Sequence, residues 1–487
     1  MRFFEIAIFG YLQIITCNFM TEKLIQQYIW DNRENFSDLI LEVDVPKKRN
    51  IEKPWEFTPS DIIYNSLIDK FEDFYNAVYG LYLFGYEVPL KKHDDSTIRA
   101  DLLGILAGRN GISIIEIKKS KQTERQSYTE LLAYGSHIRT KFAPMSKVDV
   151  NYILISPMEE RIVKEATIQN LIYDNYYVFA LVPEYQNDDI TTLKLRPWVP
   201  TFDEVDSVID SCFSESNFDA FKVTWDGLPG EWSPKGKGEN PDKYMIERLN
   251  KVSSFAAQLM ESKGIHGFVY ASQTWSELRD YGHLINSIVL CGINPYKATK
   301  NRVLINDYAL SSKEANEVKI EEINMLAIIP ELESFAEEEN INNNYLLDLS
   351  ITWSNEITGI GFEIVETLTM STERSGIEKS WGTFDWDIYQ KNSIEDIYCH
   401  NFDIRVTGLI RDLFFRYSKY DFDYIKQYGT DEHPTYWDGD IPNEFIEMVT
   451  SQYYVRKFIK RLFNPYNEFE DEFDNEEFDD NELKDEL

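Results

Sequence analysis

Apolar and polar positions recur along this chain with two different periods, and the changes of period mark its elements. Between residues 61 and 83, Ile63, Leu67, Phe71, Phe74 and Val78 return every three to four positions, which predicts a helix with one buried face. Residues 84–88 then lead into a strand. Leu102, Leu103, Ile105 and Leu106 supply the apolar content of a second strand, and the β-branched Ile112, Ile114, Ile115 and Ile117 that of a third. Arg109-Asn110-Gly111 between them reads as a hairpin turn, because Asn and Gly both tolerate positive φ. The helical period returns over residues 124–138, with Tyr128, Leu131, Leu132 and Tyr134 on or near the inner face. Residues 150–156 read as a buried strand, 159–171 as a helix and 176–182 as a strand. Residues 20–197 therefore predict an α/β domain, a mixed sheet flanked by helices, with an amphipathic helix over 22–34 packed against it.

Pro197-Trp198-Val199-Pro200 closes that domain, and residues 198–466 form a second, mixed α+β domain. Residues 226–242, rich in Gly, Pro and Lys, read as an exposed loop. A helix over 242–262 follows, then strands at 267–271, 287–291, 324–329 and 359–368, and a closing helix over 443–462. No phosphate-cradling glycine loop is present, since Gly227, Gly230, Gly236 and Gly238 lack a preceding strand and a following helix. The isolated His266 has no paired nucleophile or acidic orienter near it in sequence and reads as structural.

Residues 1–19 are a doubtful extension. Their apolar run is interrupted by Glu5 and Gln13, precedes no small-residue cleavage site and is short for a membrane span, so the folded chain is expected to begin at Met20. Lys484 to Leu487 spell an ER-retention signal, a cheap match in a tail this acidic. Cys17, Cys212, Cys291 and Cys399 are scattered, with neither metal-ligand nor disulfide spacing, which fits a reducing cytoplasm and no membrane.

Charge narrows the partners. The 487 residues carry a net charge of −35; residues 467–487 hold 12 acidic residues and one Lys, and residues 1–466 still carry −24. A body this acidic excludes broad, nonspecific gripping of phosphates and leaves only local basic patches. The candidates for nucleic-acid contact are Lys119 and Lys121 beside Lys118, and Arg456, Lys457, Lys460 and Arg461 near the end of the last helix. The tail, interleaved with Phe469, Phe473 and Phe478, reads either as a disordered solvated segment or as a nucleic-acid mimic covering a basic groove.

The candidate chemistry lies on the hairpin. Asp101 opens one strand; Glu116 and Lys118, two apart, share a face of the other. Charges beside runs of Ile and Leu are costly unless paired or bound to a metal. Asp101 brought next to Glu116 makes a two-carboxylate oxygen site suited to Mg²⁺ or Mn²⁺, with Lys118 placed to hold a water or to stabilise a phosphoryl group. The plainer reading is a surface hairpin with a weak Glu116–Lys118 ion pair.

The order helix, strand, Asp-bearing strand, Glu-x-Lys strand, helix resembles the PD-(D/E)XK nuclease superfamily of restriction-endonuclease-like proteins, in its Mrr and RecB types. Phe71-Glu72, Gly85-Tyr86, Val88, Arg99, Asp101, Glu116, Lys118 and Leu131-Leu132-Ala133-Tyr134 carry the likeness. It implies a Mg²⁺- or Mn²⁺-dependent endonuclease in which Asp101 and Glu116 bind the metal and Lys118 works on the water or the phosphate. Glu72 and Tyr134 would be accessory. Many relatives have Gln four residues before the tyrosine; here Glu130 stands there and Gln126 one turn earlier, which leaves open whether Gln126, Glu130 or neither reaches the site. The layout of nuclease, longer mixed domain and acidic tail also resembles the nuclease-APAZ subunits that pair with short prokaryotic Argonautes, on architecture alone. Together these imply a defence nuclease acting on DNA or RNA, activated through a partner and by homo-oligomerisation. The rival is a non-catalytic acidic scaffold on a relic nuclease fold; a third reading, an acidic DNA-mimic inhibitor, does not need the Asp, Glu and Lys set.

Overall fold

The structure, a computed structural model, describes residues 20–90, 98–109, 111–142, 144–145, 149–173, 176–209, 212–226, 228, 239, 241–281, 284–330, 345–369, 399–429 and 445–463. The doubtful extension, Asn110, most of the 226–242 loop and the acidic tail lie outside the described residues. The chain divides into two units: residues 1–48 with 64–201, and residues 49–63 with 202–487.

The first unit is a mixed six-stranded sheet with helices on both faces. Its elements are α1 (Glu22–Asp31), α2 (Pro59–Val78), β1 (Tyr82–Leu90), β2 (Ile98–Ile105), β3 (Ile112–Ile117), the single turn α3 (Lys121–Glu124), α4 (Ser127–Lys141), β4 (Val150–Ile155), α5 (Arg161–Ile172), β5 (Tyr177–Gln186) and β6 (Asp189–Trp198). Strand order follows the sequence. β1, β2 and β3 are antiparallel; β3, β4 and β5 are parallel; β6 returns antiparallel. The parallel pairs need crossovers, and α4 and α5 supply them. One face carries Leu102, Ile115, Ile117, Ile153 and Ile155 under Ile25 and Ile29 of α1 and Phe71, Phe74 and Val78 of α2. The other carries Leu103, Ile114, Tyr152 and Leu154 under Leu131, Tyr134 and Ile138 of α4 and Val163 of α5. The expected helix over 61–83 stops at Val78, where Gly80 turns the chain into β1 and leaves no room for a Cβ against Ala107.

The second unit is built on an antiparallel sheet of β7 (Phe218–Trp225), β8 (Gly267–Thr274), β9 (Asn286–Ile293), β10 (Cys399–Asn401) and β11 (Arg405–Thr407), ordered β10-β8-β9-β7 with β11 also on β8. Its helices are α6 (Phe202–Ile209), α7 (Lys243–Ser262), α8 (Pro295–Asn306), α9 (Ser312–Glu317), α10 (Met325–Ile328), α11 (Tyr345–Thr369), α12 (Gly408–Tyr428), α13 (Phe445–Thr450) and α14 (Gln452–Phe463). Met245, Leu249, Val252, Ala256 and Met260 of α7 and Ile357, Ile360, Ile364 and Val365 of α11 cover one face of the sheet.

Three expectations are corrected here. The strand expected at 359–368 is the second half of α11: Ile357, Ile360, Ile364 and Val365 recur at helical spacing, and their β-branching does not override that period. The strand expected at 324–329 is the short helix α10, started by Asn324, whose side chain accepts from the Leu326 N–H at 2.9 Å. The single closing helix is two, α13 and α14, parted at Ser451, whose Oγ accepts from the Tyr454 N–H at 3.2 Å. Among the described residues no helix is long and apolar enough to cross a membrane, and Cys212, Cys291 and Cys399 form no disulfide.

Candidate active site

β3 is a central strand whose side chains alternate between the two cores. Ile115 and Ile117 enter the layer under α1 and α2, Ile114 the layer under α4, and the same period sends Glu116 to the α4 side. Glu116 is 2% exposed there. Lys118, just past the strand, extends the parallel ladder through its N–H to Ile155 O at 2.8 Å. Its Nζ donates to Glu116 Oε1 and to Glu130 Oε2, each at 2.5 Å. Glu130 stands in the first turn of α4, so the amine ties the end of β3 to that helix.

Asp101 sits where the β2–β3 ladder stops. Leu102 opposite Ile115 is the last pair, and one residue further the Asp101 side chain replaces the missing backbone partner: Oδ2 accepts from the Ile117 N–H at 2.9 Å. From the other layer, Gln26 Nε2 of α1 donates to Asp101 O at 2.9 Å. The carboxylate is thereby held at the end of β3, beside Glu116.

Three carboxyl groups around one ammonium cannot all ionise in a low-dielectric layer. Burial, then the Asp101 charge and the hydrogen bond with Glu130, push Glu116 up to about 9, against the opposing pull of Lys118. Burial pushes Asp101 up to about 6, opposed by the Ile117 N–H and Lys118. Burial also works against the Lys118 charge, but Glu116 and Glu130 outweigh it and hold its pKa above the usual lysine range. Tyr134, buried on α4, has its phenol raised by burial and by Glu116, Glu130 and Asp101. At neutral pH Lys118 is charged and Glu116 keeps its proton.

The donor set fits a hard divalent ion. Glu116 Oε2 is buried and no donor reaches it, and Asp101 Oδ2 accepts from Ile117. Among the described residues no three His, Cys, Asp or Glu side chains form a metal cage.

The other expected residues divide. Glu130 and Tyr134 are in the cluster; Gln126 is exposed and contributes its backbone carbonyl to the Glu130 N–H at 3.1 Å. Glu72 is exposed on α2, which packs on the opposite sheet face through Phe71 and Phe74, so it is not an accessory carboxylate of this cluster. Lys119 Nζ donates to Met20 O, and Lys121 lies 3.6 Å from Glu160, so both are already engaged. On α14, Lys460 is exposed and Arg456 and Lys457 are half-buried, but Arg461 is buried: its Nη1 donates to the Tyr417 hydroxyl, and burial pulls its pKa to about 9. Arg461 is therefore a core residue and no nucleic-acid contact.

No family model, no curated protein and no solved structure matches the chain. What the site can do therefore follows from its own chemistry.

Sequence reasoning passed over two acids that position this site. Glu22 of α1 accepts from Thr123 Oγ1 at 2.6 Å and from the Lys119 N–H at 3.2 Å, fixing the turn after Lys118. Fully buried Glu124 accepts from Ser156 Oγ at 2.6 Å and from the Glu159 N–H at 3.2 Å, stapling that turn to the end of β4. Nothing local marks either residue, because their partners lie between 32 and 101 positions away.

Proposed function

We propose that the first unit is a metal-dependent phosphodiesterase with a restriction-endonuclease-like core, acting on nucleic acid in a reducing cytoplasm. The observation that carries this reading is the convergence of Asp101, Glu116 and Lys118 at the end of β3, with one buried Glu116 oxygen that no donor reaches. Asp101 and Glu116 would hold the divalent ion through Oδ1 and Oε2. When bound, such an ion polarises a phosphoryl oxygen and lowers the pKa of a coordinated water. Lys118 would supply positive charge where the pentacoordinate phosphate gains negative charge, and Glu130 holds the amine beside Glu116. Water adds to phosphorus as the bond to the 3′-oxygen breaks, and the leaving oxygen takes up a proton.

The second unit fits the role of partner binding. A short prokaryotic Argonaute is the candidate partner by layout, and homo-oligomerisation belongs to the same activation proposal. One observation favours the rival scaffold reading: Lys118 is ion-paired on both sides, as a purely structural cation would be.

Purified protein incubated with plasmid DNA and with RNA, in Mg²⁺ or in EDTA, decides between them, with and without an operon partner. The nuclease reading expects Mg²⁺-dependent products that vanish in Asp101→Ala and Lys118→Ala. Folded protein without cleavage under every condition leaves the scaffold.

A further inference from the structure

The apolar stripe of α4 begins with a carboxylate. Tyr134 and Ile138 lie four positions apart in the core under this helix, and Glu130 is the next position back along the same line. Helical spacing thus aims Glu130 at the sheet, where the Lys118 amine meets it. The three side chains in this contact differ in access. Glu116 is 2% exposed and Lys118 10%, whereas Glu130 is 34% exposed. Glu116 is fixed on a strand held between β2 and β4. Glu130 covers the amine from the solvent side and has open space to turn into.

We propose that Glu130 is an autoinhibitory latch: its carboxylate takes the place on Lys118 that a substrate phosphate oxygen would fill, and substrate engages the amine only when Glu130 swings out. The inference rests on the nuclease reading and adds the regulation of that site. A carboxylate and a phosphate present an ammonium with the same kind of partner, a charged oxygen acceptor at about 2.8 Å. Tethered four positions from Tyr134, Glu130 competes for the amine at an effective concentration of about millimolar or more. The neighbouring cations do not stand in for Lys118. Lys119 Nζ donates to Met20 O, and Lys121 and Arg125 both face Glu160. At rest the centre therefore turns away the polyanion that it would cut, and displacing one carboxylate from the amine admits it.

The test uses the full chain in EDTA, where anion binding is read without cleavage. The probe is dimethyl phosphate, a phosphodiester with neither base nor sugar, followed by phosphorus NMR line broadening. Glu130→Gln should bind it about fivefold more tightly than wild type, the worth of one partly exposed ion pair. Lys118→Met should bind it more weakly, and adding Glu130→Gln to that variant should gain nothing, because the gain passes through the amine. Circular dichroism verifies the fold of each variant. No gain in Glu130→Gln would leave the contact a structural tie between β3 and α4. An equal gain with and without Lys118 would make Glu130 one negative charge among others. Either result overturns the latch. With Mg²⁺ and plasmid DNA or RNA, Glu130→Gln should cleave faster than wild type. Lys118-dependent tightening with no cleavage by any form would sink the nuclease reading alone; cleavage by wild type with no tightening in Glu130→Gln would sink the latch alone.

Discussion

Lys118 Nζ and Glu130 Oε2 stand 2.5 Å apart although twelve positions separate them, and this contact joins the exit of β3 to the first turn of α4. Glu130 is about one-third exposed on its side chain, so its charge is partly screened. Glu130→Gln should therefore cost less than about 1 kcal/mol of stability. Its clearer effect is on Glu116, whose proton Glu130 helps to retain. Carboxyl infrared bands followed through a pH titration should show Glu116 ionising at lower pH in the variant; an unmoved titration would show that the two groups do not communicate.

Lys118→Met separates the amine's charge from its packing. Breaking a buried pair costs about 3–5 kcal/mol when the remaining group must stay charged. Here Glu116 can take up a proton instead, with a pKa of about 9 even while Lys118 is present. Chemical denaturation should thus find a small loss at pH 7 and a larger one at pH 10. Equal losses at the two pH values would mean that Glu116 is ionised throughout.

In EDTA the cluster should make the fold less stable as pH rises. Asp101 moves from about 3.8 to about 6 on folding and Glu116 from about 4.5 to about 9, so between these values the native state holds more protons than the unfolded chain. Stability then falls as pH climbs through that window. Glu116→Gln should flatten the fall above pH 6, as read from thermal unfolding at pH 5, 7 and 9. Added Mg²⁺, which requires ionised ligands, should raise the wild-type melting temperature more at pH 8 than at pH 6.

The second unit has a pH dependence of opposite sign. His266 Nδ1 accepts from the Leu409 N–H at 3.1 Å, capping α12, and burial lowers its pKa despite the charges of Glu261 and Asp412. Protonation would remove the acceptor. The unfolded chain takes up this proton first, so stability present above pH 6.5 is lost as pH drops towards the folded pKa. Gly408, at φ +58, precedes that cap, and a Cβ there would lie 2.3 Å from His266 Nδ1. Gly408→Ala should cost more than about 1 kcal/mol by denaturant unfolding. A neutral result would mean that the α12 entry relaxes freely.

What the sequence determined by itself was periodicity and the identity of the charged set. Ile63 to Val78 and Leu131 to Ile138 at helical spacing, and Ile112 to Ile117 as a β-branched run, were legible because each element's own residues select its conformation. The same locality made residues 359–368 misleading: Ile360, Ile364 and Val365 favour a strand one by one, and their spacing matters only once α7 and the sheet offer a surface to bury them. Tertiary structure alone decided which charges meet. Asp101 reaches the end of β3 because the ladder stops one residue short, Glu72 is lost to the opposite face because α2 packs there through Phe71 and Phe74, and Arg461 is taken into the core beside Tyr417. A side chain's neighbours across a sheet are set by register and layer, quantities shared between segments that no single segment encodes.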